Sequence, residues 1–192
     1  MIGPKSIVLA FDTAAAHCAA AVSCGDDILS VSLDPMLVGQ AEHLIPLLQK
    51  LLADHRLDWS DLDAIGVGTG PGNFTGIRIA VSAARGLALG LGIPAIGVSA
   101  FEAAAYGQPR PVTVTIPAPH AQVYRQVLHP RRADPPEVTE GVAVAQPAAD
   151  LVTAIARIAA SRIGEPNPRP APLYVRAADA APPRDPAPLI LP

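Results

Sequence analysis

Residues 68–78 read GTGPGNFTGIR: four glycines, a proline and two threonines, closing on an arginine. An apolar, strand-like run, DAIGVG (63–68), precedes it, and Ile77–Leu91, which has helix length, follows. Two readings compete for this loop. The first amides of a helix have no partner within the helix, and glycines let an anion approach them, so the loop is a candidate phosphate cradle. It lacks, however, the Gly-Lys-Ser/Thr of a Walker A loop, and it is not a G-x-G-x-x-G turn with a distal acid. The other reading is a tight bend whose glycines supply positive φ, with Thr75 or Asn73 capping the helix.

Outward from the loop, the pattern is regular. Ser6–Phe11 (SIVLAF) is a buried-strand run, and CAAAVS and ILSVSL are two more strands joined by the polar CGDD, a hairpin signal. From Gln40 to His55, apolar residues at 44, 45, 47, 48, 51 and 52 trace one helical face. Beyond the Ile77–Leu91 helix, IPAIGVS is a strand and Glu102–Tyr106 a short helix. The order β-β-β-α-β-α-β predicts an α/β mixed sheet flanked by helices, the half-domain plan of ribonuclease-H-like and actin-like folds. A doubly wound dinucleotide fold would alternate strand and helix from the start.

Composition divides the 192-residue chain. Of its 22 prolines, 17 lie in residues 108–192, which sets a boundary between an N-terminal lobe, 1–107, and a shortened, Pro-rich part, 108–192. In the latter, VTVTI and QVYRQVL predict a hairpin, ADLVTAIARIAASRI a helix, and the tail RAADAAPPRDPAPLILP an extended strap over the surface. The part is too short for a complete second lobe. The apolar stretch Ile77–Ile96 is broken by Arg78 and Arg85, so a buried helix and strand are expected rather than a membrane span. No signal peptide is read at the N-terminus, and two cysteines, Cys18 and Cys24, fit a reducing cytoplasm. A net charge of −3, with Lys5 and Lys50 the only lysines, argues against unaided nucleic-acid binding.

Asp12-Thr13, at the end of the first strand, faces the glycine loop, where actin-type folds hold metal and phosphate. The candidate nucleotide or phosphate set is therefore Asp12, Thr13, Gly70, Gly72, Asn73, Thr75 and Gly76, against the plainer reading of Asp12 as a turn former. His43 sits on a helix face where histidines are usually solvated. The remaining histidines form no H-x3-H pair, so no metal site is expected. The Ile77–Leu91 helix carries small residues at Ser82, Gly86 and Gly90 and is apolar nearly all round, so it needs cover on two sides. One side falls to the sheet. The other predicts a partner surface of Leu44, Leu47, Leu48, Leu51, Ser82, Arg85, Gly86, Leu89 and Gly90, and self-association into a homodimer when the chain is alone.

LAFDTA (9–14), AEHLIPLL (41–48), GTGPGNFTGIRIAVSAARGLALGLGIPAIGVSAFEAAA (68–105) and PLYVRAADAAPPRDPAPLILP (172–192) together resemble the bacterial tRNA threonylcarbamoyladenosine biosynthesis family TsaB, also called YeaZ. The resemblance implies an actin-like (ASKHA) fold and a non-catalytic role in making t6A at position 37 of tRNA. It implies a heterodimer with the catalytic paralogue TsaD, with the ATPase TsaE joining and tRNA met through the complex. No cofactor is required by this chain, and ATP or ADP is expected only at a partner interface. Where the paralogue's HHMEGH string holds its metal with histidines four apart, this chain has SAFEAA, with Ala100 and Ala104 at those positions. Three further positions depart from the family: Asn73 for serine, Gln40 for histidine and Pro117 for aspartate. The alternative function is an actin-fold phosphotransferase or ATPase using Asp12, Thr13 and the loop. A glycoprotease has no H-E-x-x-H or nucleophile signature to support it.

Overall fold

The computed structural model describes residues 5–176. Its larger sheet has five strands: β1 (Ile7–Asp12), β2 (His17–Cys24), β3 (Asp27–Pro35), β4 (Ala64–Gly68) and β5 (Ala95–Val98). They lie in the order β3-β2-β1-β4-β5. β2 runs antiparallel to β1 and β3, while β4 is parallel to β1 and β5 to β4. This is the mixed half-domain plan that the order of elements predicts. β1, β2 and β4 are buried along nearly their whole length, as strands covered on both faces must be. β3, at the edge, alternates between half-buried and exposed positions.

One face of the sheet carries mainly large side chains, and the other sets Ala10, Ala19, Ala21 and Gly66 among Val8, Ile96 and Val98. On the first, Leu9, Phe11, Val22, Ile65 and Val67 meet α1 (Gln40–Asp54) and α2 (Phe74–Leu91). α2 begins three residues before the expected Ile77, because the Asn73 side chain accepts a 2.9 Å bond from the Gly76 amide and so closes the first turn. Thr75 therefore lies inside the helix and does not cap it. The far end stops at Gly92, whose φ of 70° is a left-handed C-cap. Among the described helices, α2 alone is long and apolar enough to cross a membrane, yet Ile77, Ala80, Val81, Ala84 and Ala88 are buried on its sheet-facing side.

The opposite face is covered from beyond residue 107. Helix α4 (Ala148–Ser161), from the Pro-rich part, returns to cover Ala10, Ala19 and Ala21 of the first sheet. Alanine meets alanine and glycine there, so the helix lies close. A Cβ added to Gly66 would sit 3.0 Å from the Ala159 methyl. Between α2 and α4, α3 (Ala100–Ala104) starts two residues earlier than expected, because Ser99 and Glu102 form a reciprocal capping box. The first core is thus completed by a helix encoded after the second sheet.

That second sheet is antiparallel, in the order of β6 (Val112–Ala118), β7 (Gln122–Leu128) and β8 (Glu137–Glu140). The β6–β7 hairpin is as expected. β8 is not, since Glu137-Val-Thr-Glu140 offers one apolar side chain to read. Phe101, Ala105, Val114, Tyr124 and Leu128 form a separate small core under this sheet. Residues 170–175 then run back across the first lobe. The Leu173 amide donates to the Thr69 carbonyl at 2.8 Å, and Tyr174 stacks on Phe74 with 4.9 Å between ring centroids. Arg78 donates from Nε to the Tyr174 hydroxyl at 2.8 Å. The extended tail expected from residue 176 onward falls, past 176, outside the described residues.

Candidate functional site

β1 ends at Asp12, and the turn through Thr13 and Ala14 lies directly against the glycine loop. A Cβ on Gly68 would sit 2.0 Å from an Asp12 carboxylate oxygen, one on Gly72 2.3 Å from the Ala14 carbonyl oxygen, and one on Gly76 1.9 Å from the Thr13 carbonyl oxygen. The Asn73 amide donates to the Ala14 carbonyl at 2.6 Å. The Thr13 hydroxyl donates to the Gly76 carbonyl at 2.7 Å. Of the candidate set, Asp12, Thr13, Gly72, Asn73 and Gly76 lie along this contact, while Thr75 is exposed in the first turn of α2. The room beside the glycines at 68, 72 and 76 is filled by the chain's own turn, however. The tight-bend reading explains them, and Gly70, with φ of 86°, supplies the left-handed residue.

A cleft of about 630 Å³ opens beside this turn, between the two sheets. Asp12 and His17 lie at its inner end, with His17 Nε2 2.9 Å from Asp12 Oδ1, an oxygen that also accepts from the Ala14 amide. Apolar walls come from Pro71, Ile116, Tyr124 and Leu151, and among the described residues no lysine or arginine lines the space. The positions 40, 73, 100, 104 and 117, where the sequence departs from the family pattern or from the paralogue's metal string, all line it as Gln40, Asn73, Ala100, Ala104 and Pro117. No motif or spacing marks His17. Its pairing with Asp12 depends on the tight turn at 13–16, which spacing alone does not reveal. Next to it, Cys18 is fully buried, and burial, followed by the charges of Asp34 and Asp12, pushes its thiol up to about 11.

The family model described as TsaD, tRNA N6-adenosine threonylcarbamoyltransferase, matches residues 39–134, half of the chain. The chain belongs to the TsaD family. Within that family the resemblance is to TsaB/YeaZ, as the motifs led us to expect. The tRNA threonylcarbamoyladenosine biosynthesis protein TsaB of Escherichia coli is 34% identical over 100 residues, covering 52% of this chain and 43% of its own. That of Buchnera aphidicola (subsp. Schizaphis graminum) is 33% identical over 128 residues, or 62% and 59% of the two chains. YeaZ from Pseudomonas aeruginosa superposes with a TM-score of 0.69 at 26% identity, covering 88% of this chain and 99% of that one. The chain spans about half the length of the curated relatives it matches. The actin-like architecture is that of the family.

Ala100 and Ala104 present methyl groups to the cleft, and among the described residues no three His, Cys, Asp or Glu side chains come together. Glu102, between them, faces Arg162 instead. Burial pushes its carboxyl up, but the Arg162 guanidinium and the Ser99 amide more than offset this and hold it below the usual glutamate value. His43 lies outside the cleft and pairs with Asp34 at 2.5 Å.

The expected partner surface divides in two. Leu44, Leu47, Leu48 and Leu51 are at most 6% exposed and pack against α2 and the sheet of their own chain, so they do not form a docking face. A helix packed on a sheet turns its apolar stripe inward, and periodicity shows the stripe without showing what covers it. Ser82, Arg85, Gly86, Leu89 and Gly90 are exposed on α2, with Leu89 80% accessible.

Proposed function

We propose that this chain is a non-catalytic, activating subunit of the cytoplasmic machinery that makes N6-threonylcarbamoyladenosine in tRNA, and that it pairs with a catalytic TsaD chain. A TsaE-type ATPase joins the pair, and tRNA is met only through the complex. The observation that carries this reading is the cleft. Its lining has two alanines where the paralogue's metal-binding histidines stand, a proline where an aspartate is usual, and, among the described residues, no lysine or arginine to neutralise a phosphate. Glycines that would admit a phosphate are pressed against the turn of residues 12–14 instead. The chain needs no cofactor of its own on this reading, and ATP or ADP would sit at the partner interface.

The docking surface is the exposed face of α2. Among the described residues, a Cβ at Gly86 or Gly90 would meet nothing within 4 Å, so neither glycine serves packing against them. A glycine in a helix interior costs roughly 1 kcal/mol relative to alanine. Both leave room for the backbone of a neighbour. The test is tRNA modification by TsaD with and without this chain, alongside Gly86→Leu. We expect modification to require the chain, and Gly86→Leu to abolish capture of TsaD with the melting temperature no lower than that of the wild type. Full affinity in a folded Gly86→Leu variant would remove α2 from the interface, and nucleotide turnover by the isolated chain, lost in Asp12→Ala, would favour the phosphotransferase.

A further inference from the structure

A second groove, of about 470 Å³, runs between the C-terminal half of α2 and residues 165–170. It is lined by the apolar Ile93 and Pro94 and by Leu89, which is 80% exposed, and it carries Arg85 and Arg169 against a single carboxylate among the described residues, Glu165. The charge is out of keeping with the whole, since the chain is net −3 while α2 bears two arginines and no acidic residue over 18 positions. Arg78, the other arginine, is engaged by Tyr174 and lies 3.7 Å over the Phe74 ring. Arg85 and Arg169 have no ion-pair partner among the described residues.

We infer that the surface of TsaD that docks here is acidic: it sets a carboxylate between Arg85 and Arg169 and an apolar side chain in the groove over Leu89. This rests on the reading of α2 as the docking face. A guanidinium presents its donors as a planar fork that matches a carboxylate, and two such forks across an apolar groove specify both the charge and its position. The groove favours a protein over a nucleic acid. A phosphate backbone is held by many cations, and this groove offers two arginines beside an exposed leucine.

The experiment is calorimetric titration of the full chain with the TsaD encoded by the same genome, at about 50 and about 300 mM NaCl, which spans weak to strong screening. Arg85→Glu/Arg169→Glu is expected to weaken binding by at least about tenfold at low salt and to flatten the salt dependence, as loss of a complementary charge pair does. Arg85→Gln/Arg169→Gln, a milder change, should fall between it and the wild type, and the melting temperature of each variant reports its folding. Wild-type affinity and salt dependence in both variants would overturn the inference while leaving the subunit reading intact. Normal TsaD binding with a loss of tRNA by the complex would overturn it in favour of RNA. Failure of the wild-type chain to bind TsaD at either salt would bring down the subunit reading, and this inference with it.

Discussion

The Thr13 hydroxyl donates a 2.7 Å hydrogen bond to the Gly76 carbonyl, while the Thr13 carbonyl oxygen occupies the place a side chain on Gly76 would take, 1.9 Å from its Cβ. The end of β1 and the first turn of α2 are therefore locked backbone to backbone. This contact fixes where α2 emerges from the sheet, and hence where its outer face points.

Gly76→Ala forces a methyl into main chain that cannot swing aside. We expect a loss of about 2–3 kcal/mol, the usual scale of overpacking, read as a lower urea midpoint with unchanged slope. A midpoint equal to the wild type would mean that the Thr13 turn is free to move.

Gly86→Ala and Gly90→Ala should act in the opposite direction. Both positions are helical and meet no other described residue within 4 Å, so each alanine should stabilise the chain by about 0.5–1 kcal/mol through lower unfolded-state entropy and better helix propensity. Thermal melts check this. Destabilisation by either would show that the glycine serves the isolated fold.

Glu102 gives the stability a pH dependence of predictable sign. Its carboxyl is held below the ordinary 4.5 in the folded chain, with burial opposing and Arg162 and Ser99 favouring the charged form. A folded value below the unfolded one contributes stability in full above the unfolded value, and that contribution is lost as pH falls through the folded value. Melting temperatures of wild type and Glu102→Gln should thus differ at pH 7 and converge below pH 4.5. Parallel curves down to low pH would separate Glu102 from the lock between α3 and α4.

Cys18 and Cys24 should react in two stages. Cys18 is fully buried with its thiol raised to about 11, while Cys24 is half-buried at the end of β2. A disulfide reagent at pH 8 should label one thiol in the native chain and the second only in denaturant. Prompt labelling of both would mean that β2 opens on the time scale of the reaction.

The sequence made much of the first lobe legible because its strands are apolar runs and its helices carry clean periodicity. Both signals concern which residues are buried. Neither names the covering surface, so the α1 leucines read equally well as core or interface, and the structure places them in the core. The candidate site was legible in its parts. Asp12 and the glycines were found, but His17 joins Asp12 through a turn of three alanines that carries no spacing signal. β8 escaped because its alternation spans four residues, and the placement of α4 escaped because an alanine-rich helix matches any shallow surface until the alanine-bearing face of the sheet is known.

That last helix has a consequence for how the chain is made. β1 and β2 are synthesised first, but the side of the sheet bearing Ala10, Ala19, Ala21 and Gly66 stays bare until residues 148–161 leave the ribosome. A nascent or truncated product ending near residue 107 would be a client for chaperones rather than a working module. Grafting or expressing this lobe by itself would require carrying the distant helix along with it.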